Sequence, residues 1–203
     1  MIIKLCGLRR LEDIEYVNEF MPDYVGFIFA ENSKRTVTIE QAKALSKNLS
    51  SYIQKVGVFV NQPVEYVAKA VDEVGLNVYQ LHGDEDCDYI ENISNTVDAD
   101  IWKAVRVRSS EDIAFADNLG VDAILLDSFS NGQYGGTGKL ADWDIITKAK
   151  INTQIFLAGG LDENNITNAI KTVKPYGVDI SGGIETDGFK DRLKIKRLMN
   201  LIR

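Results

Sequence analysis

Eight short apolar runs, rich in β-branched residues and recurring roughly every 25 residues, each end in a glycine or in a side chain that can do chemistry. They are Ile2–Leu5 into Cys6-Gly7, Tyr24–Phe29 into the Ser33-Lys34-Arg35 loop, Val56–Val60 into Asn61, and Val78–Leu81 into His82-Gly83. Ile101–Val105 into Arg106, Ala123–Leu126 into Asp127, Ile155–Leu157 into Ala158-Gly159-Gly160 and Val178–Ile180 into Ser181-Gly182-Gly183 complete the set. The segments between them carry apolar residues at helical spacing, so the chain reads as β-α repeated eight times. The expected fold is α/β, a (β/α)8 barrel of the TIM type forming one domain over residues 1–203. A parallel barrel gathers its strand ends on one face, where such barrels place their active sites. Residues scattered along the sequence are therefore expected to converge in space.

Composition narrows the setting. The 45% apolar fraction suffices for a core, and no apolar run approaches a membrane span. Met1-Ile2-Ile3-Lys4 enters the first run directly, which leaves no room for a signal peptide. Cys6 and Cys87, the two cysteines, argue against a disulfide scaffold and suit a reducing, cytoplasmic setting. Net charge is −7 with no dense basic cluster, so neither nucleic acid nor an anionic membrane is an expected partner. An anionic small molecule would need local donors, such as backbone N–H groups and placed arginines. A barrel of this size is expected to be a monomer, with a homodimer as the alternative.

Helix boundaries follow from local chemistry. Asn61-Gln62-Pro63 ahead of Val64–Val74 resembles a capped start, and Val64, Val67, Ala68 and Val71 form a stripe at i, i+3, i+4, i+7. Asp162 is the expected cap of the helix after Leu161, and the last helix is expected over Lys190–Ile202, burying Ile195, Leu198 and Ile202. Three glycine clusters lie late in the chain: Gly135-Gly136-Thr137-Gly138, Gly159-Gly160 and Gly182-Gly183. Glycine lets backbone approach a ligand closely, and loops after strands seven and eight commonly bind phosphate in barrels. One such pair could simply make a tight turn; two after consecutive strands favour a phosphate. Asn131–Leu140 is long enough to be a flap.

Each reactive residue has a bland alternative. Cys6 could be a small buried hydrophobe or a base, the latter needing a positive environment because a thiol ordinarily titrates near ~8.5. Asp127 could cap a helix or form an ion pair, but a partly desolvated carboxyl at a strand end would also serve as a general acid. Arg35 could be an exposed structural cation or a bidentate clamp on a carboxylate. His82, the one histidine, ends a strand rather than lying on a helix, which suits a pocket. No second histidine or cysteine stands at ligand spacing, so no metal is expected. Cys87 and Trp102 read as structural, and Trp143 as packing beneath the flap.

Taken together, these residues resemble the phosphoribosylanthranilate isomerase family. The resemblance runs in order through Lys4-Leu5-Cys6-Gly7, Gly26–Phe29, Ser33-Lys34-Arg35, Val56–Asn61 and Gln80-Leu81-His82-Gly83-Asp84-Glu85. It continues through Leu125-Leu126-Asp127, Gly135–Gly138, Leu157–Leu161 and Gly177–Ser181. The family belongs to tryptophan biosynthesis and performs an Amadori rearrangement of a phosphorylated small molecule without metal or cofactor. The resemblance implies Cys6 as general base and Asp127 as general acid. It also implies that Arg35 holds the substrate carboxylate and that Gly159, Gly160, Ser181, Gly182 and Gly183 hold its phosphate. His82, Gly136 and Gly138 would complete the pocket. Two departures stand out: Ser181-Gly182-Gly183 where many members have Ser-Ser-Gly, and Ala141 where an aromatic residue usually precedes Asp-Trp.

Other readings fare worse. Histidine-pathway barrel isomerases have paired aspartates and an internal repeat that is not visible here. An indole-glycerol-phosphate synthase would need lysine and glutamate at strand ends, whereas Lys4 lies within its strand. A non-catalytic phosphate sensor would lack the acid–base pair, and eight apolar runs disfavour a helical interaction module.

Overall fold

The computed structural model describes residues 1–128 and 143–203. The strands are β1 (Ile2–Cys6), β2 (Tyr24–Ile28), β3 (Gln54–Phe59), β4 (Val78–Leu81), β5 (Asp100–Val107), β6 (Ala123–Ser128), β7 (Gln154–Leu157) and β8 (Gly177–Ile180). They pair in parallel in chain order, and β8 returns to β1 to close a barrel. The helices are α1 (Leu11–Phe20), α2 (Ile39–Ser46), α3 (Val64–Val74), α4 (Cys87–Ser94), α5 (Ser110–Asp117), α6 (Trp143–Lys148), α7 (Ile166–Val173) and α8 (Arg192–Ile202). Among the described residues no helix is long and apolar enough to cross a membrane.

Two packed layers follow from the period-two alternation of strand side chains. Outward residues such as Ile3, Leu5, Val25, Phe27, Phe59, Leu81, Ile124, Leu126, Leu157 and Val178 join the helices in one core. Inward residues Val56, Val78, Trp102, Ala104, Ala123, Leu125, Phe156 and Ala158 form a second, with Ile2 and Tyr24 packed against it. Trp102 and Phe156 lie 4.2 Å apart between ring centroids, and Tyr24 meets Trp102 edge-on at 4.9 Å. These rings plug the N-terminal end of the barrel. The C-terminal end is left to polar side chains.

Several boundaries depart from the sequence expectation. β5 continues through Val107 because Arg106 and Val107 stay in register with Asp127 and Ser128 of β6, so both Arg106 and Asp127 sit inside strands. Pro63 occupies the cap position of α3 rather than its first turn, and the buried stripe runs Val64, Val67, Ala70, Val74. The Asp162 carboxylate accepts from the N–H groups of Asn164 and Asn165 in a turn ahead of α7, which itself begins at Ile166. Cys87 opens α4 and is exposed.

Lys190 does not begin the last helix. It pairs with Glu185 in a hairpin of β9 (Glu185–Thr186) and β10 (Phe189–Lys190), whose turn residues Asp187 and Gly188 have φ of 52° and 79°. Positive φ at both positions is what an Asp-Gly turn supplies. α8 then starts at Arg192, capped by the Asp191 carboxylate, and buries Met199 alongside Ile195 and Leu198.

Candidate active site

Inward positions at the C-terminal mouth are filled by residues two apart on each strand. β1 contributes Lys4 and Cys6, and β8 contributes Asp179 followed by Ser181. β4 contributes Gln80 followed by His82, while Arg106 and Asp127 are register partners on β5 and β6. The structure thus brings Cys6, His82, Asp127 and Ser181 to one opening. Gly136, Gly138 and the Asn131–Leu140 segment lie outside the described residues.

Cys6 is 5% exposed. Its sulfur has room because its register partner on β2 is Gly26, where an added Cβ would stand 2.6 Å from Sγ. Burial pushes the thiol up from its ordinary range, and the Lys4 ammonium pulls it back. Lys4 is wholly enclosed and donates to Asp179 Oδ1 at 3.0 Å. The Ser181 hydroxyl donates to the Cys6 carbonyl at 3.0 Å, tying the ends of β1 and β8 together.

On the far side, Asp127 is 4% exposed and its Oδ2 lies 3.3 Å from His82 Nε2. The Gln80 amide nitrogen sits 3.0 Å from His82 Nδ1. With the amide donating to Nδ1, a neutral imidazole carries its proton on Nε2, which stands beside the Asp127 carboxyl without making a hydrogen bond to it. Below this pair, the loop after β4 is fixed by Glu85. Its carboxylate accepts from the N–H groups of Asn61 and Gly83 and from Lys103 Nζ, the last at 2.7 Å and buried. Asn61, read from sequence as a helix cap, instead accepts from Asp84 N–H in this cluster.

Arg35 reaches back from the loop after β2 to lie over Gly7, where a Cβ would stand 2.6 Å from Arg35 Cδ. It is not an isolated clamp. Glu185 takes its Nε and Nη2 at 2.7 and 2.8 Å, which leaves the Nη1 side of the guanidinium for a ligand. Burial would push the Glu185 carboxyl up, but Arg35 and Lys190 hold it below the usual range. Lys190 donates to Glu185 at 2.7 Å and to the Ser181 carbonyl at 3.0 Å. Glu185, Lys190, Lys4 and Asp179 are therefore site-forming residues that the strand-end reading passed over. The Asp187-Gly188 turn signal could have found the first two.

The two described glycine pairs meet. Gly159 and Gly160, after β7, have φ of 80° and 68°. Gly182 and Gly183, after β8, open a three-residue 3-10 turn, Gly182–Ile184. A Cβ on Gly183 would overlap the Leu161 carbonyl at 1.9 Å, so the loops after β7 and β8 can approach this closely only without a side chain there.

The chain is similar to known proteins in sequence and in fold. The family model described as N-(5′-phosphoribosyl)anthranilate (PRA) isomerase matches residues 3–201. The N-(5′-phosphoribosyl)anthranilate isomerase of Thermoanaerobacter pseudethanolicus is 47% identical over 201 residues, covering 99% of this chain and 97% of that protein. Among solved structures, phosphoribosyl anthranilate isomerase from Thermus thermophilus superposes with a TM-score of 0.89 at 27% identity, covering 100% of this chain and 98% of that one. A second phosphoribosyl anthranilate isomerase, in complex with reduced 1-(o-carboxyphenylamino)-1-deoxyribulose 5-phosphate, gives 0.82 at 33% identity, with 98% and 97% covered. A third structure, of monomers generated from the dimeric enzyme of Thermotoga maritima, gives 0.83 at 34%, with 99% and 98% covered.

Proposed function

This chain belongs to the N-(5′-phosphoribosyl)anthranilate isomerase family, and from that premise we propose that Cys6 and Asp127 are the base and acid of its Amadori rearrangement. The reaction, a step of tryptophan biosynthesis, turns N-(5′-phosphoribosyl)anthranilate into 1-(2-carboxyphenylamino)-1-deoxyribulose 5-phosphate. The observation that carries the assignment is the placement of one thiol and one nearly buried carboxyl on inward positions of β1 and β6, at the same mouth of a closed barrel.

Asp127 in its acid form protonates the ribose ring oxygen, and the C1′–O bond breaks to leave an open-chain iminium. The iminium is an electron sink, so the C2′ proton becomes acidic enough for the Cys6 thiolate. The C–H electron pair moves into the C1′–C2′ bond, giving an enolamine that tautomerises to the ketone. His82, whose Nε2 lies 3.3 Å from Asp127 Oδ2, stabilises the carboxylate left after proton transfer. The remaining edge of Arg35 holds the substrate carboxylate. Backbone N–H groups of the Gly159-Gly160 and Gly182-Gly183 loops receive the phosphate, with Ser181 beside them. With glycine at 182, that grip leans on backbone donors rather than a second hydroxyl.

The test is the decay of substrate fluorescence on adding protein. Wild type is expected to consume freshly made phosphoribosylanthranilate rapidly. Cys6→Ala and Asp127→Asn are each expected to lose about a hundredfold or more in kcat, the usual reach of acid–base catalysis. A loss of only a few-fold in either variant removes that residue from its role. We further propose a cytoplasmic enzyme whose one barrel domain spans residues 1–203 and works as a monomer. A sedimentation mass of two chains would replace that with the homodimer.

A further inference from the structure

Among the described residues Lys4 is the largest charged side chain sealed within the fold, with 0% exposure, and nothing in the acid–base scheme above uses it. An isolated ammonium in such a place would shed its proton, because burial disfavours the charged form. Here the opposite balance holds: burial pulls Lys4 down, but Asp179 and Cys6 together raise it above its ordinary range. Lys4 and Cys6 are two apart on β1, so both point into the barrel, one layer above the other. The ammonium donates to Asp179 Oδ1 at 3.0 Å, and its positive charge favours the thiolate form of Cys6.

We propose that Lys4 is the cation that holds the Cys6 thiolate, with Asp179 fixing the ammonium beneath the sulfur. The proposal rests on the reading of Cys6 as the base and makes Lys4 and Asp179 positioning residues, since neither meets the substrate. Lys4 keeps its proton throughout: the S–H bond forms with the proton from C2′, and the electron pair stays with the substrate.

The other charges around the sulfur do not take this part. Lys190, on β10, reaches Cys6 by its field, but its Nζ is engaged by Glu185 and the Ser181 carbonyl. Arg35, after β2, is likewise paired with Glu185. His82, Asp127 and Arg106 line the opposite wall, on or following β4, β6 and β5, and among the described residues Asp179 is the leading anion whose field at the sulfur opposes the thiolate.

The two partners act on the sulfur with opposite signs, which gives a test that a merely structural role would fail. In a Cys87→Ser background, the Cys6 Cβ chemical shift is followed against pH by NMR, and kcat/KM is measured over the same range. Lys4→Met is expected to raise the thiol midpoint, and Asp179→Asn to lower it, each by about one to three pH units, the usual effect of a charge at this range. The alkaline rise of kcat/KM should move with the midpoint in each variant. Midpoints that stay put, or that move in the same direction in both variants, overturn the proposal. If Lys4→Met does not fold, the Asp179→Asn titration decides alone. Midpoints that move as expected without any movement of kcat/KM support Lys4 as the thiolate's partner and overturn Cys6 as the base.

Discussion

A methyl group on Gly26 would stand 2.6 Å from the Cys6 sulfur and 3.2 Å from its Cα, so the position is kept open by the thiol rather than by a turn. Gly26→Ala is expected to push the sulfur from its place while the barrel still forms, because the strand pairing on either side is unaffected. Misplacing a reacting atom by about 1 Å can cost a hundredfold, and a loss of about that size in kcat is expected. Kinetics beside far-ultraviolet circular dichroism checks it, with the spectrum unchanged. At this scale the sequence was informative where a reactive residue follows an apolar run, as with Cys6, His82 and Ser181. It was silent on Lys4 and Asp179. A charge inside an alternating strand has meaning only once its partner is known, and that partner lies 175 residues away.

Among elements, the β9–β10 hairpin was the one not anticipated, although Asp187-Gly188 is a turn signal and Glu185 and Lys190 flank it at matching distances. Its four strand residues are too few to show a period, so Lys190 was absorbed into the following helix. The hairpin matters because it presents Glu185 to Arg35 and Lys190 at once. A carboxyl held below its usual range in the folded state takes up its proton first in the unfolded state. Its stabilising effect is therefore fully present above the ordinary carboxylate pKa and is lost as pH falls through the folded value. Thermal melts should show wild type above Glu185→Gln by a constant margin near neutrality. That margin should shrink below about pH 4. A margin that is flat into acid would mean the ion pair contributes nothing. The eight barrel strands, by contrast, were legible to within two residues at each end, because their runs are mostly apolar, as strands buried on both faces require.

For the whole molecule, stability rests on two concentric cores. The inner one is small and aromatic: Phe156 touches Trp102, Tyr24 and Tyr176, and Gly177 is bare so that the Phe156 ring can lie against it. Phe156→Ala is expected to cost about 3–5 kcal/mol, since the closed strands around the plug cannot collapse into the space. Urea unfolding followed by Trp fluorescence measures it, and a cost below about 1 kcal/mol would show that the plug is dispensable. The closing contact between β1 and β8 also bears on how the chain comes to be folded. Lys4 is made 175 residues before Asp179, so while the strands between them are synthesised the interior cation has no counter-charge. Burying it unpaired is strongly unfavourable, and an incomplete ring of strands that sealed Lys4 inside would be penalised accordingly. The nascent chain is thereby discouraged from closing early on seven strands, and the eighth brings the carboxylate that makes closure tolerable.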